Sequence, residues 1–129
     1  MRRGEGHNEA GSLSLSYVIV FPAFLLAIMA VIQVSFWYLG RQTALAAARQ
    51  GVDAARVQGA PLGAGPGAAV AFARKAGSGY LIEPSASDSG STGQTIQIQV
   101  SGQVVSLIPG VHWSISQAAQ APVEQFTTP

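Results

Sequence analysis

Cysteine is absent from the 129 residues, so disulfide frameworks, thiolate metal sites and cysteine nucleophiles are excluded together. Charge is scarce as well. Only 10% of the residues are Asp, Glu, Lys or Arg, far below the quarter usual in a soluble domain. A formal net charge of +1 gives no electrostatic case for nucleic acid or an acidic substrate. The basic residues gather only at Arg2-Arg3 and Arg74-Lys75. His7 and His112 are remote from each other and have no ligand-type neighbours, which argues against a metal centre. The serines lack an accompanying base. No catalytic residue, cofactor site or metal ligand emerges, and the chain reads as a protein that is not an enzyme.

Charge is missing most completely between Glu9 and Arg41, where no Asp, Glu, Lys or Arg occurs. A bilayer core needs about 20 mostly apolar helical residues, because each advances the helix by only about 1.5 Å. Residues 17–39, YVIVFPAFLLAIMAVIQVSFWYL, meet that length. Gln33 is the one strongly polar residue within them, and Ser35 can bond to its own preceding turn. Pro22 lies near the start, where a missing hydrogen bond is repaired locally in a membrane helix. Trp37 and Tyr38 close the run, and such rings favour the headgroup layer. The competing reading, a core helix of a soluble protein, needs a shell that so short a chain cannot provide.

Residues 41–58, RQTALAAARQGVDAARVQ, continue as an alanine-rich helix. Leu45, Ala48, Val52 and Ala55 form one apolar stripe; Gln42, Arg49, Asp53 and Arg56 lie opposite, with Arg49 and Asp53 spaced to pair. Residues 59–67, GAPLGAGPG, are expected to be a non-helical linker. They do not make a nucleotide loop, since Pro66 follows the glycines and the P-loop lysine is lacking. A second helix is expected over residues 68–76, with Arg74 and Lys75 in its last turn and Gly77 as its stop. Residues 80–82 read as a short strand ended by Pro84, and residues 85–93 as a loop. Residues 94–105 alternate Ile96, Ile98 and Val100 with Gln97, Gln99 and Ser101, a strand with one apolar face; Gly102 suggests a bulge. After a turn at Pro109-Gly110, Val111, Trp113 and Ile115 alternate with His112, Ser114 and Ser116, giving a strand to about residue 121. Trp113 is expected to pack inward. The expected class is α+β and membrane-anchored. It combines a long amino-terminal transmembrane helix extended outside the bilayer, a short second helix and a small three-stranded antiparallel sheet.

The amino terminus, MRRGEGHNEAG, is short, polar and basic, and Gly11 is followed at once by SLSLSY and the apolar run. A secretory signal peptide would have a shorter apolar run and a cleavage box after it. The pattern instead resembles the prepilin-type leader of TadE-like (and TadG-like) minor pseudopilins from tight-adherence (Flp pilus) systems. Their motif is a glycine, four residues, glutamate and tyrosine. Gly11 and Tyr17 match at that spacing, while Ser16 stands in the glutamate's place. Pro22 matches the early proline of the family's helix. In its order of helix, alanine-rich continuation, Gly/Pro break, short β-region and APVEQF ending, the resemblance spans most of the chain and is to the actinobacterial-type branch.

The resemblance implies a leader over residues 1–11, cut by a prepilin peptidase between Gly11 and Ser12. It implies a membrane and stalk helix over residues 12–58, and a pilin-like body of short helix and β-domain over residues 68–129. Implied partners are the membrane, other pilins or pseudopilins and the pilus assembly platform. The implied location is the cytoplasmic membrane in a single pass, amino terminus inside, although the flanking arginines alone do not decide that orientation. The family's glutamate is thought to pair with a neighbouring subunit's amine, and a buried charge needs such a partner. Ser16 has no charge to offer, which suits an initiating or tip subunit; the same serine in a drifted motif would simply be tolerated. A different reading is an uncleaved, single-pass, membrane-anchored binding module with a small extracytoplasmic β-domain.

Overall fold

The computed structural model describes residues 5–57 and 59–123, with residues 5–12 described by their backbone alone. It has an α+β architecture in the order α1 (Glu5–Ala55), α2 (Ala64–Ala76), β1 (Leu81–Ser87), β2 (Thr95–Val104) and β3 (Trp113–Pro122). The chain divides into two units, residues 1–34 and residues 35–129, and α1 contributes to both.

Over its described residues the first unit is helix. Pro22 lies inside it without ending it. Proline has no N–H to give the carbonyl of Val18, four residues back, so one rung of the ladder is missing there. The helix also begins earlier than residue 12: from Glu5 to Gly11 the backbone is already helical. No conformational break therefore separates residues 5–11 from the apolar run.

In the second unit, α2 and the carboxyl-terminal part of α1 cover one face of a three-stranded antiparallel sheet of order β1-β2-β3. The core is small: Ala44, Ala47, Ala48, Val52, Ala69, Ala73, Ile98, Val100, Val104 and Ile115. Ile98 and Val100 are its largest fully buried side chains. Alanine and glycine on the helices let backbones approach the sheet. A Cβ on Gly40 would fall 2.5 Å from Val104 Cγ2. The buried stripe of α1 is thus Ala44, Ala47, Ala48, Gly51 and Val52. Leu45 and Ala55, expected in the stripe with Ala48 and Val52, are only half-buried. Small side chains win the central positions because the sheet lies too close for leucine. Asp53 pairs with Arg56 at 3.4 Å, one turn on, and not with Arg49.

The linker is shorter than expected, since α2 starts at Ala64, inside the Gly/Pro stretch. Gly63 supplies a left-handed φ of 81° just before it. Pro66 falls in the first turn, where its missing N–H has no helical partner to lose.

β1 runs through Pro84, which had been expected to end it. Its register slips between Ile82 and Ser85, so Glu83 and Pro84 together oppose Gly102. The extra residue is therefore on β1, and Gly102 sits opposite the bulge. Glu83 takes a φ of 48°, rare for a side chain with a Cβ. β1 is an edge strand, where proline forfeits no ladder bond on its open side.

β2 and β3 pair without interruption from Thr95↔Pro122 to Val104↔Trp113. The inward residues follow the expected alternation, but Val111 lies outside β3 and is exposed. Trp113 packs against the core half-buried, with its Nε1 buried and unpartnered. The opposite face is polar: Gln99 Nε2 donates to Ser116 Oγ at 2.8 Å. The APVEQF ending from Glu124 on and the tail after Phe126 lie outside the described residues.

Candidate functional site

Among the described residues, one helix is long and apolar enough to cross a membrane, and it lies near the amino terminus. Its most apolar window has none of its residues buried. Val18, Phe21, Leu26, Val31 and Val34 are each about 60% exposed or more, and at about 100° per residue they point around the whole circumference. A soluble core helix would show the reverse. Gln33 stands apart at 3% exposure.

The sequence-derived motif positions all fall on this helix. Gly11 and Ser12 lie on helical backbone, with side chains outside the described ones. Ser16, Tyr17 and Pro22 are exposed, Tyr17 at 71%. At about 100° per residue, Ser16 and Tyr17 point a quarter-turn apart, and Pro22 points about 120° from Ser16. They form no cleft. They are spaced along one continuous helix.

Where the apolar run ends, the structure assembles a group that sequence reading missed. Arg41 is the first charged residue after Glu9. Its guanidinium carbon lies 4.8 Å from the centroid of the Trp37 ring, a cation–π contact one turn away. With its amide oxygen turned toward Arg41, Gln117 of β3 accepts from Nε at 2.8 Å and from Nη2 at 3.1 Å. Tyr38, Arg41, Gln42, Leu45 and Gln117 line a recess of about 170 Å³. The sequence signal was Arg41 beside Trp37-Tyr38; nothing local pointed to Gln117.

On the polar face of the sheet, Glu83, Ser85, Ser101, Gln103, Ser114 and Ser116 line an open groove. It offers hydroxyls, one amide and one carboxylate but no histidine. Among the described residues, no three His, Asp or Glu side chains gather as a metal site.

Residues 11–53 match the family model described as TadE-like protein. The match starts on Gly11 and ends two residues before α1 does, so it covers the helix and not α2 or the sheet. The likeness that the sequence suggested over most of the chain is carried by that third of it. No curated protein and no solved structure matches the chain.

Proposed function

From a chain whose residues 11–53 form a TadE-like segment, we propose a structural minor pseudopilin or pilus-assembly component of a tight-adherence, type II-like secretion machine. The observation that carries this reading is the largely apolar helix of residues 13–34, exposed at every residue but Gln33, within the matched segment. Such a surface is stable only in lipid or against other apolar helices. The membrane part is residues 17–39, with the amino terminus in the cytoplasm and the β-domain outside. A prepilin peptidase removes residues 1–11. The chain then works by helix packing against pilins, pseudopilins or the assembly platform, and catalyses nothing.

Ser16 sets its place among them. Without a carboxylate, the helix offers no charge for a neighbour's terminal amine, so it starts a row or caps it. Photo-crosslinkers at Leu15, Val18 and Leu25 in native membranes test the reading. Adducts with other pilus subunits are expected; adducts with lipid alone contradict it. A Ser16→Glu variant should shift those adducts toward the repeating subunit.

One observation favours the second reading, an uncleaved membrane-anchored module. The backbone is already helical on both sides of the Gly11–Ser12 bond, and a helical bond must unwind before a protease can cut it.

A further inference from the structure

We infer that the recess of Tyr38, Arg41, Gln42 and Gln117 binds the phosphate of an anionic lipid headgroup. The inference rests on the proposed membrane span, because that span sets the depth of the recess. Residue 39 ends the span, and Arg41 lies two residues on, about 3 Å further along the helix. That is the depth of the headgroup layer, where phosphates lie.

The chemistry of the walls fits a phosphate. Arg41 carries five N–H donors, of which two are taken by Gln117. Three remain on a planar fork that suits phosphate oxygens. The Trp37 ring beneath and the Gln117 amide beside hold that fork in place, so little side-chain freedom is left to lose on binding. Tyr38 and Gln42, which carry neutral donors, also line the recess, as does the apolar Leu45. No carboxylate lines the recess to repel an anion. Between Glu9 and Asp53 the sequence has no acidic residue at all.

The test uses the full chain in detergent with equal amounts of phosphatidylglycerol and phosphatidylcholine, read by native mass spectrometry. The wild-type chain should retain phosphatidylglycerol about fivefold over phosphatidylcholine, the factor one basic residue contributes at an anionic surface. Arg41→Gln should bring the ratio to about one, while Arg49→Gln, on an exposed position, leaves it unchanged. Gln42→Glu keeps Arg41 but adds a carboxylate to the wall, and should lower the ratio equally. Retained preference in both Arg41→Gln and Gln42→Glu overturns the inference. Excess inorganic phosphate that strips the lipid would mark a free-anion site and overturn the lipid assignment. Flotation with phosphatidylcholine vesicles separates the two levels. A chain that floats without headgroup preference sinks only this inference, and one that fails to float sinks the membrane span with it.

Discussion

Gly51 of α1 and Gly65 of α2 meet backbone to backbone. A Cβ on Gly51 would lie 2.7 Å from the Gly65 carbonyl oxygen, 2.9 Å from Ala69 Cβ and 3.0 Å from Ile98 Cγ2. The contact fixes how closely α2 lies on α1 over Ile98. Gly51→Ala should therefore destabilise the second unit by about 1–3 kcal/mol despite alanine's better helix propensity. Gly67 is the control. It lies in α2 with nothing within 4 Å of an added Cβ, and Gly67→Ala should stabilise by about 0.5 kcal/mol. Thermal melts of both variants in detergent check the opposite signs.

Thr43 and Tyr80 tie the helices to the start of the sheet. The Tyr80 hydroxyl donates to the Ala76 carbonyl at 3.0 Å, so Thr43 Oγ1 donates to Tyr80. Thr43 is 9% exposed, which makes its hydroxyl costly to leave unpaired. Tyr80→Phe should lose about 1–2 kcal/mol. Thr43→Val alone should lose about 1 kcal/mol, and the double variant less than the sum. Denaturant unfolding of the four chains gives the coupling.

Glu83 holds a left-handed backbone at the β1 bulge. Its side chain is exposed and Glu83→Gly removes the Cβ that this conformation strains. Glycine's greater freedom in the unfolded chain offsets part of the gain. A net stabilisation of about 0.5 kcal/mol is expected, read as a small rise in Tm.

Because the chain has no cysteine, single cysteines report cleanly on exposure to water. In intact membranes Leu26→Cys should resist a water-soluble maleimide, and Gln120→Cys on β3 should react with it. Equal labelling would place residue 26 in water and remove the membrane span.

The elements that can be read in the sequence are those whose signal is local. The uncharged run before Arg41 marks the membrane-length helix, and the alternation from Ile96 to Val100 marks β2 with its inward face. The features that escape reading depend on contacts between distant residues. The buried stripe of α1 falls on Ala44, Ala47 and Gly51 and bypasses Leu45, because sheet proximity selects size over hydrophobicity. α2 starts four residues before Ala68, because a left-handed Gly63 and a first-turn Pro66 open a helix as readily as they break one. β1 passes Pro84, because an edge strand can bulge. Arg41 and Gln117 come together only once β3 lies beside α1. The motif at Gly11, Ser16 and Tyr17 can be read only by its spacing, since its side chains make no common site.

The most direct measurement is the intact mass and amino-terminal sequence of the chain extracted from native membranes. The proposed function predicts a chain beginning at Ser12, cut after Gly11 with its apolar helix retained. A chain beginning at Met1 or Arg2 would contradict prepilin-type processing and leave the uncleaved membrane-anchored module in its place.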